Sequence, residues 1–313
     1  MRTSTLSLRG PLLAALCALA LFARAAGAQA PDLRGARDSQ LQQGLDNALH
    51  ALRLDGAADA GRLSVALVDL SEPAAPRLAM VNGDRMMYAA SMPKVGILLG
   101  ALAEAEAGRF PLDAMRRAAL ERMIRYSSND DATRVLHWVG GERLLQILQS
   151  DRFRFYDAAA GGGLWVGKGY DSAVAFRRDP VGSFSHGATA FQVARLYALL
   201  AANTLLRPDL NALMKDVLSK PGINHKFVAG LAGRPGVEVF RKSGTWRDTH
   251  ADSALIESGP HRYVLVAIAQ DPAGGEWLKR LAAPLHELIV AGPRGAAVAR
   301  YSSSFSQSKL PNQ

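Results

Sequence analysis

The pattern of apolar and polar residues divides the chain into helix-like and strand-like segments. Apolar residues recur at helical spacing over residues 40–54, which predicts a first amphipathic helix. Residues 63–70 and 77–81 are strand-like, and the proline-containing turn between them predicts a hairpin. The middle of the chain predicts helices over 92–107, 112–125, 132–139 and 143–148, a helix that begins at Thr189, and another over 206–218. The last part predicts strands over 237–246, 253–257 and 262–269 and a closing helix over 276–290.

This order groups the strands at both ends of the chain, with a block of helices between them. Strands that do not alternate with helices favour an antiparallel sheet, which here forms when the two ends of the chain meet. We therefore expect an α/β protein of the α+β type, with a mostly antiparallel five-stranded sheet flanked by helices. A helical subdomain is expected over about 91–220, within a domain of about 38–292. Residues 153–185 are predicted to form a long functional loop.

The N-terminal residues have the pattern of a secretory signal peptide. Arginines precede an apolar stretch at 11–22, and small residues allow cleavage after Ala28 or Ala30. The apolar stretch is too short for a comfortable membrane span. Residues 1–28 are therefore predicted to be removed during export. We expect a secreted, periplasmic protein without a stable membrane anchor.

Composition narrows the functional classes. Cys17 is the only cysteine and lies in the leader, so neither disulfides nor thiol chemistry are expected in the mature chain. The seven histidines are dispersed, which predicts neither a metal nor a cofactor. The net charge of +9 falls to +6 without the three leader arginines, and the scattered basic residues predict no nucleic-acid partner. A monomer is expected, and the serine-rich residues 293–313 are expected to be a disordered tail.

A Ser-x-x-Lys motif at Ser91 to Lys94 lies where a strand-like run meets an almost wholly apolar helical run. A helix N-terminus presents free backbone N–H groups, and a lysine three residues later returns to the face of Ser91. A lysine beside a serine can be the base that makes its hydroxyl a nucleophile. A second Ser-x-x-Lys lies at Ser306 to Lys309, so the motif alone does not identify a catalytic serine.

Two further motifs follow in the chain. Ser127-x-Asn129 lies between two predicted helices, and Lys242-Ser243-Gly244 lies on the first of the three late strands. Each alone has an ordinary explanation, as a helix cap or as a strand lysine beside a glycine. With all three motifs in this order, the sequence resembles the penicillin-recognising serine hydrolases. This superfamily contains the class A β-lactamases and the penicillin-binding D,D-peptidases.

The resemblance covers roughly residues 40–290 and implies a role for each matching residue. It implies that Ser91 is the acylated nucleophile with Lys94 as its partner. Ser127 would pass a proton to the leaving nitrogen, and Lys242 would supply positive charge. The backbone N–H groups of Ser91 and Thr245 would form the oxyanion hole. The implied substrate-binding residues are Asn129, for a side-chain amide, Gly244, and Ser243 and Thr245, for a carboxylate.

The sequence departs from the class A pattern in two places. Class A β-lactamases usually carry a glutamate after Ser-x-Asn that positions the deacylating water, but residues 151–179 contain no glutamate. Asp157 and Asp171 flank the position at which this glutamate is expected. The step of 36 residues from Ser91 to Ser127 is shorter than usual, which predicts a more open cleft. We therefore expect acylation with weak or no turnover of β-lactams.

Three functions stay open at this point. The first is a β-lactamase-like hydrolase that opens an amide such as a β-lactam ring. The second is a D,D-peptidase or amidase that acts on cell-wall peptides. The third is a non-catalytic, penicillin-binding sensor. In each case the expected partner is a small β-lactam or a cell-wall peptide.

Overall fold

The computed structural model describes residues 32–292. The predicted signal peptide with Cys17, the Ser306 to Lys309 motif and the predicted tail lie outside the described residues. Within residues 32–292, none of the helices is both long enough and apolar enough to cross a membrane.

The central sheet contains the strands β1 (Leu63–Asp69), β2 (Arg77–Val81), β8 (Val237–Trp246), β9 (Thr249–Ser258) and β10 (His261–Gln270). Their order is β2-β1-β10-β9-β8, and every neighbouring pair is antiparallel. The register pairs Leu63 with Ala269 and Lys242 with Ser253. The two ends of the chain therefore meet in one sheet, which confirms the predicted fold class.

Helices cover both faces of this sheet. They are α1 (Ser39–Ala51), α2 (Asp55–Asp59), α3 (Lys94–Glu106), α4 (Ala114–Arg125), α5 (Asn129–Val139), α6 (Gly141–Gln149), α7 (Ala190–Ala201), α8 (Pro208–Leu218), α9 (Phe227–Gly230) and α10 (Gly274–Val290). Leu63, Val65 and Leu67 of β1 pack in the core that contains α1 and α10. Ala66 and Val68 pack in the core of the inserted helices. A strand covered on both faces is buried throughout, as all of β1 is.

The helix α3 is the centre of the inserted region. Every residue from Lys94 to Glu104 is buried, as the nearly all-round apolar pattern predicted. Gly100 allows α6 to approach closely, because a Cβ atom there would lie 2.5 Å from Leu144 Cδ1. The helix that follows Ser91 is therefore held on all sides.

The structure differs from the predicted elements where segments are short. α5 begins at Asn129 rather than at residue 132, because the Ser128 hydroxyl caps it by accepting the Asp131 N–H at 3.1 Å. α2 and α9 were not predicted, since neither is long enough to show a helical period. The loop over 153–185 is mostly irregular, as expected, but it contains short strands. The short strands within residues 32–292 are β3 (Met87–Tyr88), β4 (Tyr156–Asp157), β5 (Gly162–Gly163), β6 (Trp165–Val166) and β7 (His186–Ala188).

A buried ion pair joins β8 to β9 and to the chain that precedes α9. The side chains of Arg241 and Asp252 are 2% and 0% exposed, and Nε lies 2.8 Å from Oδ1. Arg241 also donates to the carbonyl oxygens of Ile223, at 2.6 Å, and His225, at 3.2 Å. Asp252 Oδ2 accepts the Phe227 N–H at 3.1 Å. One ion pair thus fixes three segments of the chain.

Asp252→Ala is expected to destabilise the fold by about 3–5 kcal/mol, because it leaves the Arg241 guanidinium buried without its counter-charge. The measurement is the free energy of unfolding in urea. Glu276→Ala is the matched control, since its partner Lys279 is about half exposed and such pairs contribute about 0–1 kcal/mol. Similar losses of unfolding free energy in the two variants would contradict a stabilising role for the buried pair of Arg241 and Asp252.

Candidate active site

Ser91 lies in the turn between β3 and α3 and lines a cavity of about 820 Å³. Ala90 has φ +51°, a left-handed conformation that is uncommon outside glycine. The turn is fixed by two hydrogen bonds of Ala89. Its N–H donates to His186 O at 3.0 Å, and its carbonyl oxygen accepts the Met92 N–H at 3.0 Å. The backbone therefore presents Ser91 to the cavity in one conformation.

Strand β8 passes directly beside this turn at Gly244. A Cβ atom there would lie 2.4 Å from Ala89 O and 2.7 Å from Ser91 N, closer than atoms can approach. A glycine is therefore needed at this contact. The Ser91 N–H has no hydrogen-bond partner within residues 32–292. It is a free donor where β8 meets the serine.

Lys94 is the first residue of α3, and its side chain is fully buried. Nζ donates to Ser127 O at 2.6 Å and to Asn129 Oδ1 at 2.7 Å, and it lies 4.3 Å from the centre of the Tyr170 ring. Burial lowers the pKa of Lys94 to about 7, because desolvation disfavours the ammonium. Both protonation states are therefore accessible near neutral pH.

The Ser127 hydroxyl lies between two lysines. Lys242 Nζ donates to Ser127 Oγ at 3.0 Å and to Ser243 O at 2.6 Å, while Lys94 Nζ lies 3.4 Å from the same hydroxyl. Burial, and then the positive charge of Lys94, lower the pKa of Lys242 well below its ordinary value. Ser127 itself has φ +59°, a strained conformation for a serine. Since both amines donate to Oγ, the hydroxyl hydrogen stays free to donate in turn.

The predicted substrate-binding residues take two different positions. Asn129 and Thr245 line the cavity, together with Arg247. Ser243 is buried, and its Oγ lies 3.2 Å from Nε2 of His225. Burial lowers the pKa of that histidine to about 4, so the ring is neutral. Thr245 is thus the better placed of the two hydroxyls to meet a ligand.

Tyr170 fills the side of the cavity next to Lys94, in the segment that lacks the glutamate. Its N–H donates to Thr133 Oγ1 at 2.9 Å, and its hydroxyl donates to Ala90 O at 3.3 Å. The ring packs on His186, with centroids 4.1 Å apart. Burial raises the pKa of Tyr170, so its hydroxyl stays protonated. A neutral ring, rather than a carboxylate, therefore contacts Lys94.

The two aspartates that flank this segment are engaged in local turns. Asp157 Oδ1 accepts the Ala159 N–H at 3.0 Å, and Asp171 Oδ1 accepts the Ala173 N–H at 3.1 Å. Among residues 32–292, neither these two nor another carboxylate hydrogen bonds to Lys94.

The sequence reasoning missed several residues around the site. Tyr170 had been noted only as one aromatic residue of a packed loop, and His186 had no motif around it. Lys226 precedes α9 and is buried, and its pKa falls to about 8, mainly through desolvation. A single buried lysine gives no periodic signal, so no pattern in the sequence could have identified it.

The match of the sequence to a family model identifies the family of this chain. The family model described as the β-lactamase enzyme family matches residues 44–120 and 116–289, which is most of the chain. The chain belongs to the β-lactamase enzyme family. It is a serine β-lactamase-like hydrolase that acts on amide bonds.

Solved structures share the fold of this β-lactamase-like hydrolase. The β-lactamase of Sphaerobacter thermophilus superposes with a TM-score of 0.61 at 16% identity, over 78% of this chain and 96% of that one. A class A β-lactamase of Bacteroides cellulosilyticus gives 0.62 at 12% identity, over 83% and 100%. A variant of PBP-A with glutamate in place of a leucine, solved as an acyl-enzyme with penicillin G, gives 0.58 at 17% identity, over 80% and 96%. A search of curated protein sequences finds no match.

Gly244→Ala is expected to slow labelling of the enzyme by a fluorescent penicillin about 100-fold or more, because the added methyl group must displace the Ser91 turn. The rate of labelling is followed on a gel. Gly56→Ala is the matched control, since a Cβ atom there meets no atom within 4 Å. Labelling of Gly244→Ala at the wild-type rate would show that the contact is not needed.

Proposed function

We propose that the protein is a secreted, periplasmic enzyme that forms an acyl-enzyme at Ser91 and releases the acyl group slowly. The observation that carries the proposal is the convergence of two buried lysines, Lys94 and Lys242, on the Ser127 hydroxyl beside a cavity that Ser91 lines. The leader supports export, because it combines basic residues, an apolar stretch and small residues at Ala28 and Ala30.

In the acylation step, Ser91 Oγ attacks the carbonyl carbon of an amide. The neutral Lys94 amine takes the hydroxyl proton, the new C–O bond forms, and the C–N bond breaks. Ser127 donates its hydroxyl proton to the leaving nitrogen. Lys94 then returns a proton to Ser127, to which it is adjacent at 3.4 Å, so both residues regain their starting protonation states. Lys242 supplies positive charge beside the Ser127 hydroxyl, and burial keeps the pKa of Lys94 low.

The charge that develops on the carbonyl oxygen needs donors that are already in place. The free N–H of Ser91 is one, and the N–H of Thr245 is the second in our proposal. The close approach at Gly244 supports this pairing, because it brings the two segments together. Asn129 accepts from Lys94 through Oδ1, which leaves its amide NH₂ to donate to the side chain of a substrate.

Release of the acyl group requires an activated water. In class A β-lactamases a glutamate usually positions this water. In the corresponding segment here the Tyr170 ring packs on Lys94, and that ring cannot take a proton from water. Lys94 is then the remaining base in our proposal, and its Nζ lies 4.3 Å from the centre of the Tyr170 ring. We therefore propose that acylation outpaces hydrolysis for β-lactams.

A D,D-peptidase or amidase on cell-wall peptides is the second candidate, and Tyr170 also favours it. An enzyme without a water-positioning carboxylate holds its acyl group until a suitable acceptor reaches the ester. PBP-A, a neighbour of the same fold, was solved in one variant as an acyl-enzyme with penicillin G, which supports the acyl-enzyme that both candidates share.

Benzylpenicillin is expected to add its full mass to the protein, because opening of the β-lactam ring expels no fragment. The adduct should outlast removal of free penicillin and should be missing in Ser91→Ala. Intact-mass spectrometry over time is the measurement. Ser306→Ala, in the second Ser-x-x-Lys motif, is the matched control and should keep the adduct.

Two outcomes would change the assignment. Rapid multiple turnover of nitrocefin would mean that a water is activated efficiently in spite of Tyr170. Equal inertness of the wild type and Ser91→Ala towards penicillin and ester probes would make the protein a non-catalytic sensor.

The rate of acylation is expected to rise about tenfold per pH unit below pH 7 and to level off above it. The base must be neutral, and burial lowers the pKa of Lys94 from 10.5 to about 7, so the neutral fraction saturates early. The apparent pKa belongs to the Lys94 and Lys242 pair. The measurement is the pseudo-first-order rate of labelling between pH 5 and 9. A rate that still climbs at pH 9 would exclude a shifted lysine as the base.

A further inference from the structure

Residues 168–186 form one wall of the cavity that Ser91 lines, here called the loop wall. The loop wall contributes three charged side chains to the cavity lining, which are Lys168, Asp171 and Arg178. None of them has a role in the proposed acylation step. Polar groups that line a binding cavity fix the orientation of a ligand and determine specificity, so these three are candidates for substrate recognition.

Lys168 and Arg178 are not engaged by carboxylates of the protein. Within residues 32–292, neither side chain forms an ion pair, whereas the neighbouring Arg177 pairs with Glu142 at 3.1 Å. Arg178 donates from Nη1 to Ser183 O at 3.0 Å. An arginine has five N–H donors and a lysine has three. Most of the donors on the two side chains are therefore left for a ligand.

The loop wall presents more positive than negative charge to the cavity. Its carboxylate in the cavity lining is Asp171, whose Oδ1 accepts the Ala173 N–H at 3.1 Å. Two cations against one carboxylate leave an excess of one positive charge. On the hairpin between β8 and β9, Arg247 and Asp248 also line the cavity, and their charges balance. An anion is therefore the ligand that the loop wall would attract.

Both cations extend from backbone that is held in place. His186 Nε2 lies 3.0 Å from the carbonyl oxygen of Lys168 and must donate to it, because a carbonyl can only accept. Next to Arg178, the carboxylate of Asp179 is buried and does not line the cavity. It accepts three backbone N–H groups, including that of Phe184 at 2.6 Å. A ligand that binds to such a preorganised wall orders less of the protein.

A row of aromatic rings lines the cavity beside these cations. The ring centroids of Phe184 and Tyr88 are 6.3 Å apart, those of Tyr88 and His186 6.4 Å, and those of His186 and Tyr170 4.1 Å. Tyr170 reaches the turn that carries the nucleophile, because its hydroxyl donates to Ala90 O at 3.3 Å. Burial lowers the pKa of His186 to about 4, so its ring is neutral. The row offers an apolar surface that extends from this turn into the loop wall.

The two ends of the scissile amide meet different residues in the proposed function. Ser127 donates to the leaving nitrogen and is held by Lys242 at 3.0 Å. Asn129, which binds the side-chain amide of the acyl part, lines the cavity together with the loop wall, whereas Ser127 and Lys242 do not. A substrate group that contacts the loop wall therefore belongs to the acyl part.

We infer that the loop wall is a second anion subsite, in which Lys168 and Arg178 bind a carboxylate carried by the acyl part of the substrate. The favoured substrates have an apolar group for the aromatic row and an acidic group beside it. In a cell-wall peptide, this is an acidic residue on the acyl side of the scissile bond. The subsite is separate from the carboxylate contacts that the family resemblance implies for Ser243 and Thr245. The inference rests on the proposed function, because it requires an acyl-enzyme at Ser91.

Two penicillins that differ by one carboxylate test the subsite. Carbenicillin is benzylpenicillin with an additional carboxylate on the carbon between the phenyl ring and the side-chain amide. The measurement is the ratio of the rate constants for acylation by carbenicillin and by benzylpenicillin, followed by intact-mass spectrometry. Lys168→Gln and Arg178→Gln should each lower this ratio about three- to tenfold, as the loss of one partly exposed charge-assisted hydrogen bond implies. An unchanged ratio in either variant would overturn the inference.

Two further variants separate recognition of the carboxylate from a structural role. Arg177→Gln is the matched control and should leave the ratio unchanged, because Arg177 pairs with Glu142 and does not line the cavity. Arg178→Lys keeps the positive charge and should retain most of the preference for carbenicillin. Both penicillins share the carboxylate on the fused ring system, so an effect on its binding cancels in the ratio. Melting temperatures establish that each variant is folded.

Binding is tested without acylation in a Ser91→Ala background. Titration calorimetry should show tighter binding of carbenicillin than of benzylpenicillin, and adding Arg178→Gln should reduce the difference about three- to tenfold. Equal affinities for the two penicillins, or no binding of either, would overturn the inference even if the wild type is acylated normally. Failure of the proposed function looks different, because the wild type would then form no adduct at Ser91 with either penicillin.

Discussion

Burial of positive charge around Ser91 is the constraint on which the rest of the site depends. Arg241 pairs with the carboxylate of Asp252, but Lys94, Lys226 and Lys242 are held by carbonyl and hydroxyl oxygens. Such dipoles replace water only in part, so the pKa of each of the three amines is lowered. The region stays short of negative charge, and in the proposed function an anionic substrate or a developing oxyanion would supply it.

Backbone strain is found in the same region. Ala90, Ser127 and Lys226 all have positive φ, and such conformations cost about 1–3 kcal/mol each. The buried helix α3 and the ion pair between β8 and β9 hold these strained conformations in place, because they leave the turns no room to relax. The positions of Ser91, of the Ser127 hydroxyl and of β8 are thus set before a ligand binds.

Patterns that repeat were predictable from the sequence, and single contacts were not. The long strands β1 and β8 and the buried helix α3 were found because apolar residues recur along them. The three motifs were found because their order fits one family. Tyr170 and Lys226 were missed because each is defined by a contact with a distant segment, Lys94 in one case and Thr245 in the other. Two-residue strands such as β4 and the four-residue α9 are too short to carry any period.

The pairing of β1 with β10 also sets the order in which the molecule can assemble. Leu63 pairs with Ala269 across roughly two hundred residues of chain, and closing so long a loop costs entropy before any contact repays it. Until β10 is available, the hairpin of β1 and β2 lacks its inner neighbour, while β9 and β8 lack their link to the N-terminal strands. The two halves of the cleft therefore cannot unite until β10, which ends at Gln270, is free to pair with β1. Completion of the cleft therefore depends on the contact in the sheet that spans the greatest separation along the chain.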